Sequence, residues 1–312
     1  ALKQELARDK SVLLLGEDIG KNGGVFRVTD NLQKEFGEDR VIDTPLAELG
    51  IVGSAIGMSI LGLKPVVEMQ FDGFMYGMFD ELISHASRMR TRSRGLYTCP
   101  IVVRAPYGGG IRALEHHSES MEALYAHIPG LKMVIPSSPY EAKGLLASAI
   151  RDPDPVIFYE PKRLYRAIKE EVPEQEYLIP IGKARIVREG SDLTLIGWGS
   201  MLYTALQAVE QLKDKYSIEV IDVRTISPLD SETILASIAK TGRCVIVNEA
   251  PRSFGPGAEI AAQIAEKSLL SLQAQVQRVT GFDTVFPLYK LENYYLPDVK
   301  RVSAAIEEVM RF

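Results

Sequence analysis

The sequence has little that would tie it to a membrane, a nucleic acid or an oxidising compartment. Only two of its 312 residues are cysteine, Cys99 and Cys244. They lie far apart, each beside or within an apolar strand-like run, so they read as buried reduced thiols and suggest a reducing compartment. No apolar run approaches the roughly 18 residues of a spanning helix. The opening "ALKQELARD" reads as a helix and not as an export signal. The formal charge of -5 and a pI near 5.6 lack the basic excess that nucleic acid or anionic lipid requires. Histidine is scarce as well, at four, which leaves too few ligands at usable spacing for a zinc site.

What is present is ordinary for a soluble globular chain: 46% hydrophobic and 25% charged residues, enough for about two domains. Short β-rich runs alternate with helical stretches. Val12–Leu15, Arg40–Ile42, Pro65–Met69, Pro100–Arg104, Met133–Ile135 and Val156–Tyr159 read as strands. Thr29–Phe36, Leu49–Leu61, Phe79–Arg92 and Tyr140–Ile150 read as helices between them. Strands apolar on both faces, separated by helix-length segments, argue for parallel βαβ units with covered faces. The charged, proline-bearing segment Glu160–Gly182 then reads as an interdomain linker. Alternation resumes with "DLTLIGWG", a helix over Met201–Lys215, "IEVIDV", a helix over Ser231–Lys240 and "RCVIVNEA". A helix from Ala258 to Ser268, the strand "VQRVTG" and a helix over Lys300–Met310 complete the chain. The expectation is an α/β protein of two doubly wound domains: residues 1–160, a linker over 161–180, and residues 181–312. Ser138 and Asp230 are the expected helix caps of their segments.

Chemistry is sought where charge interrupts this pattern. In "DTPLAELGIVGSAIGMSILGLKPVVE", Glu48 opens an apolar, glycine-studded helix whose next charge is Lys64. Thr44 as cap and Pro45 as first residue would make Glu48 a first-turn carboxylate favoured by the helix dipole. The alternative is a ligand-facing acid. Gly50, Gly53, Ser54, Ala55, Gly57 and Gly62 leave the helix thin on one side at a cost of roughly 1 kcal/mol per interior glycine. A close helix crossing between subunits, with Glu48 at its lip, would account for that cost.

Further along, "RAPYGGGIRALEHHSES" follows a strand, where open α/β sheets place ligands. It matches neither common phosphate-binding pattern. It carries His116 and His117, which read either as exposed histidines or as a proton-transfer group near a cleft; His85 and His127 are the other two. Phe74, at a strand-to-helix turn, reads as core or as a stacking surface. "IRDPDPVIFYE" reads as a β-turn or as a turn holding a monovalent cation.

Together, "LLGEDIGKNGGVFRVTDNLQKEFGEDRVIDTPLAELG", "HSES", "HIPGLKMVIPSSPYEAKGLLASAIRDPDPVIFYE" and "VTGFDTVFP" resemble the beta subunit of the thiamine-diphosphate-dependent 2-oxo acid dehydrogenases, the decarboxylating first component of the pyruvate and branched-chain complexes. The resemblance runs over essentially the whole chain. It implies a pyrimidine-binding thiamine-diphosphate fold followed by a transketolase C-terminal-like domain for dimerisation and acyltransferase docking. It also implies an α2β2 heterotetramer whose cofactor spans both subunits, and a short native segment ahead of Ala1.

In such an assembly the alpha subunit holds the diphosphate and Mg2+ through a Gly-Asp-Gly motif, and this chain has none. By resemblance, Glu48 contacts the aminopyrimidine nitrogen, and Leu46 and Phe74 contact its ring. His117 acts when the acyl group passes to lipoamide, and Ile101, Ala149, Ile150, Asp152 and Asp154 surround a structural K+. The implied reaction is decarboxylation of a small 2-oxo acid, then reductive acylation of the lipoyl domain of a dihydrolipoyl acyltransferase core. "EPKRLYR" and "TGFDTVFP" lean towards a branched-chain substrate. An acetoin dehydrogenase beta subunit and a non-catalytic assembly subunit are the alternatives. No nucleic-acid or membrane partner is expected. The location expected is the cytoplasm, or the mitochondrial matrix in a eukaryote.

Overall fold

The computed structural model describes residues 1–312. The first half supplies strands β1 (Val12–Gly16), β2 (Val41–Asp43), β3 (Lys64–Glu68), β4 (Val102–Tyr107), β5 (Lys132–Val134) and β6 (Val156–Pro161). The second half supplies β7 (Arg185–Arg188), β8 (Leu193–Gly197), β9 (Ile218–Asp222), β10 (Thr225–Ser227), β11 (Cys244–Val247) and β12 (Gln277–Val279). They form a seven-stranded sheet in the order β10-β5-β6-β4-β3-β1-β2 and a five-stranded sheet in the order β12-β11-β8-β9-β7. All pairings are parallel except β10 with β5 and β7 with β9. Strands β1, β4, β6, β8, β9 and β11 are buried along their whole length, as parallel strands covered by helices must be. No helix is long and apolar enough to cross a membrane. Cys99 and Cys244 are both buried and unpaired, and burial pushes both thiols up.

Two elements have no clear local signature. β10 is three residues from the second half that finish the first half's sheet, and only the tertiary pairing with β5 makes it a strand. β7, Arg-Ile-Val-Arg, is an edge strand that the expected linker runs straight into. The linker segment itself is strapped down. Tyr177 stacks on Tyr140 at 4.5 Å and donates its hydroxyl proton to the Tyr140 carbonyl at 2.7 Å. Lys143 donates to the carbonyls of Glu174 and Gln175 at 3.2 and 3.0 Å, and Ser148 to that of Ile179 at 2.6 Å. Charge and proline thus mark a surface strap along the helix Pro139–Arg151, not a free tether.

Ser138 and Asp230 cap their helices as expected, accepting from the backbone N–H groups of Glu141 and Thr233. The expected helix over Phe79–Arg92 is broken. A tight turn over Asp72–Met78 runs into one wide turn over Glu81–His85, another tight turn over Ala86–Arg88, and a short helix over Met89–Arg92. Such irregular turns concentrate at functional sites. The core joins the two halves, since Tyr107 and Tyr159 of the first belong to one cluster with Trp198, Ile221 and Ile246 of the second.

Candidate active site

The parallel strands of the first sheet end at one edge, where open α/β sheets bind ligands. Glu17 follows β1, Leu46 and Glu48 follow β2, Phe74 follows β3, the segment 108–117 follows β4, and Lys162 follows β6. The topology therefore gathers almost every residue singled out for chemistry at one sheet edge.

Glu48 is the first residue of the helix Glu48–Ile60 and is half-buried. Thr44 and Pro45 do not start this helix. The Thr44 N–H donates to the Gly16 carbonyl at 3.0 Å, so the chain is still completing the β1–β2 pairing at Thr44, and Ala47 becomes the residue ahead of the helix. Glu48 therefore stands at the positive end of the helix without a side-chain cap beside it. It is flanked by two leucines that this chain leaves open, Leu46 at 78% and Leu49 at 51% exposure. Glu17, which the motifs did not single out, shares its surroundings: burial first, and then the charges of Glu48 and Asp18, raise its carboxyl above the usual range. Its place directly after β1 was the available signal. The helix packs against the turn Asp72–Met78 that carries Phe74.

The outer face of this helix is bare. Gly50, Ser54 and Gly57 are exposed, and a Cβ added at Gly57 would meet nothing within 4 Å. Gly57→Leu should therefore leave the isolated chain folded, with leucine the better helix former. If this face is the subunit crossing, the same change should reduce the assembled species in light scattering; an unaltered mass distribution would remove the face from the interface.

A second cluster forms an aromatic wall. The ring of His117 lies 4.1 Å from that of Phe71 and 5.2 Å from that of Phe74, while His116 packs on Phe74 at 5.4 Å and on Tyr76 at 5.7 Å. This approach depends on Gly73, where a Cβ would sit 2.0 Å from the His116 carbonyl oxygen. His117 Nδ1 is buried with no protein partner. Burial, then the charges of Lys162 and His116, hold the imidazole below the ordinary histidine value, with Glu115 opposing. The other end of the histidine segment is clamped by the second half of the chain. Glu249 accepts from the Gly109 N–H at 2.8 Å and from the Ser200 hydroxyl at 2.7 Å. Glu292 accepts from the N–H groups of Gly110 and of Arg112, the latter at 3.0 Å. Neither glutamate carried a sequence signal, because each acts across more than a hundred residues.

The residues expected around K+ are placed differently from the rest. Lys132 donates to both carboxylate oxygens of Asp152 at 2.7 and 2.6 Å, and Arg90 to Asp154 at 2.8 Å. The Ala149 and Ile101 carbonyls accept from the backbone of Asp152 and Val156, and Ile150 is core. Asp152 and Asp154 are thus each paired with a cation of the chain, and no group of three His, Cys, Asp or Glu side chains gathers there. A cavity of about 460 Å³ lies elsewhere, against Ala1, Leu32, Pro139 and Tyr165, and takes none of its lining from Glu48, Phe74 or His117.

Residues 1–168 match the family model "Transketolase, pyrimidine binding domain" and residues 182–302 match "Transketolase, C-terminal domain". The split gene transketolase described as an inactive beta4 tetramer superposes with a TM-score of 0.82, covering 99% of this chain and 95% of that one at 21% identity, a likeness of fold. The fold and the site at its sheet edge thus define a chain of the transketolase type. Among curated proteins, the pyruvate dehydrogenase E1 component subunit beta of Acholeplasma laidlawii is 53% identical over 312 residues, all of this chain and 95% of that protein. The proteins of the same name from Staphylococcus epidermidis and Staphylococcus aureus are 52% and 50% identical over 313 residues, covering 96% of each. The chain belongs to the family of beta subunits of the thiamine-diphosphate-dependent 2-oxo acid dehydrogenases.

Proposed function

We propose that this chain, joined to an alpha subunit as α2β2, decarboxylates pyruvate and passes the acyl group to the lipoyl domain of an acyltransferase core. The observation that carries this reading is Glu48, a half-buried acid between two exposed leucines at the carboxyl edge of the sheet. That donor set suits an aminopyrimidine: a carboxylate for a ring nitrogen, with Leu46 and Phe74 for the ring faces. Thiamine diphosphate, when bound, supplies the electron-accepting chemistry of decarboxylation. Its diphosphate and Mg2+ would belong to the alpha subunit, since this chain has no Gly-Asp-Gly sequence.

The roles left to this chain are orientation and proton handling. Glu48 holds a proton at the pyrimidine nitrogen. Leu46, Leu49 and Phe74 orient the ring and exclude water. His117, whose pKa its surroundings lower, donates a proton where the lipoyl sulfur is acylated. The second domain serves dimerisation and docking of the acyltransferase. A cytoplasmic location accords with the bacterial relatives.

Pyruvate is favoured because relatives at 50–53% identity carry it in their names. The branched-chain lean of "EPKRLYR" is the second reading. The test is co-expression with the cognate alpha subunit and measurement of decarboxylation with an artificial electron acceptor. A higher kcat/KM for pyruvate than for 3-methyl-2-oxobutanoate is expected. The reverse order would transfer the assignment to the branched-chain class, and cleavage of acetoin in preference to both would transfer it to acetoin dehydrogenase.

A further inference from the structure

The glycine triplet Gly108-Gly109-Gly110 fits neither phosphate-binding pattern, yet its backbone is shaped to receive anions. The N–H groups of Gly109, Gly110 and Arg112 all donate to carboxylates, and Gly108, Gly110 and Arg112 have φ values of 81°, 94° and 60°. Backbone that returns repeatedly to the left-handed region, with its N–H groups converging, makes an anion-binding concavity. The anions here belong to the chain itself. Glu249 and Glu292, both buried, fill it from the second domain. A Cβ at Gly108 would sit 2.8 Å from Glu249 Oε1, and one at Gly109 would sit 2.5 Å from the Phe286 ring. Phe286 is buried with Tyr295 and Leu296, so the arm that carries Glu292 is seated directly on the triplet.

The gripped segment is a closed loop. The Gly108 N–H donates to the Glu119 carbonyl at 2.9 Å, which joins its two ends. Its far side is the turn Glu115–His117, where the Ser118 hydroxyl donates to the Leu114 carbonyl at 3.0 Å. The loop therefore has three supports: its own base, the aromatic wall beside the histidines, and the two carboxylates. Only the carboxylates come from the other domain.

We propose that Glu292, backed by Glu249 and Phe286, is a positioning residue that fixes the loop Gly108–Glu119 and with it the place of the His117 ring. The consequence for lipoyl acylation rests on the reading of His117 given above; the grip itself does not. The two carboxylates are not equivalent. Both partners of Glu292 are backbone N–H groups, which only donate, so both of its oxygens must accept. An amide there would set one donor against another. Glu249 has one N–H partner and one hydroxyl, and the Ser200 hydroxyl accepts as well as donates. An amide at that position keeps both bonds. Glu292→Gln should therefore loosen the loop more than Glu249→Gln, an asymmetry that the mere loss of a buried charge does not produce.

The test is backbone hydrogen exchange read by mass spectrometry, on the full chain in its assembly with the alpha subunit, paired with the kinetics of lipoyl acylation. In Glu292→Gln, peptides from Gly108–Glu119 should exchange about tenfold faster, the ratio that one lost charge-assisted hydrogen bond supports. Peptides from the strands of both sheets should keep their protection. The kcat of acylation should fall by a similar factor, with KM for the lipoyl domain changed much less. Glu249→Gln should give the smaller change in both readouts. An unaltered loop in Glu292→Gln, or equal loosening by the two variants, would overturn the proposal. A loosened loop with unaltered kcat would overturn the positioning role if His117→Ala impairs acylation. If His117→Ala leaves acylation intact, the reading of His117 fails instead, and the exchange alone decides the grip. If Glu292→Gln does not fold, Gly109→Ala decides from the loop's side, because its Cβ must displace Phe286. Faster exchange confined to the loop would then support the grip, and unchanged protection would overturn it.

Discussion

Glu48→Gln is expected to leave the assembly folded while reducing decarboxylation by roughly 10²- to 10⁴-fold, the usual contribution of a positioned proton-transfer group. The fold should tolerate the change because Glu48 makes no side-chain cap and its neighbours Leu46 and Leu49 are open in the single chain. Glutamine keeps the size and one hydrogen-bonding oxygen but cannot shuttle a proton. The loss should therefore fall on kcat, with cofactor affinity changed much less. The same substitution has a second effect within the chain. The charge of Glu48 helps to raise the Glu17 carboxyl, so Glu17 should ionise more readily in the variant. Turnover close to that of the unmodified enzyme would remove Glu48 from the chemistry and return it to a first-turn carboxylate held by the helix dipole.

His117→Ala should divide the two half-reactions. Decarboxylation measured with an artificial acceptor needs no lipoyl group and should be reduced little. Acylation of the lipoyl domain should fall by a factor of the order of 10²–10⁴. The pH dependence has a definite sign. Burial and the Lys162 and His116 charges hold the imidazole below its ordinary pKa, so the protonated form that donates to sulfur is depleted as pH rises through that lowered value. Acylation should decline over that range in the unmodified enzyme, and the artificial-acceptor rate should not follow it. Equal losses in both assays would mean that His117 supports the wall as a whole, in the way that Gly73 does by letting the His116 carbonyl come so close.

Periodicity was sufficient for the strands of the parallel core, because residues such as Val12–Leu15 and Ile218–Ile221 are buried on both faces and read as continuous apolar runs. It was not sufficient where pairing partners are distant. β10 exists only because a second-domain tripeptide meets β5, and β7 because an arginine-flanked pair lies along β9. The helix that opens at Glu48 starts three residues later than Thr44 and Pro45 suggest for the same reason, since the N–H of Thr44 is taken by Gly16 of β1.

At the site, Glu48, Phe74, His116 and His117 were legible as charge, aromatic or histidine interrupting an apolar pattern. Glu249 and Glu292 were not, because their function is to reach from the second domain to backbone N–H groups of the first. Asp152 and Asp154 were legible as acids, but their cationic partners Lys132 and Arg90 come from other elements.

The central claim is that this chain holds half of a cofactor site: the pyrimidine end, without the means to bind the diphosphate. Calorimetry of thiamine diphosphate binding, with this chain alone and then with its alpha subunit, tests that most directly. Saturable binding that appears only in the mixture, and only with Mg2+, is the predicted result. Tight binding to the isolated chain would contradict it, because the site would then be complete within these residues.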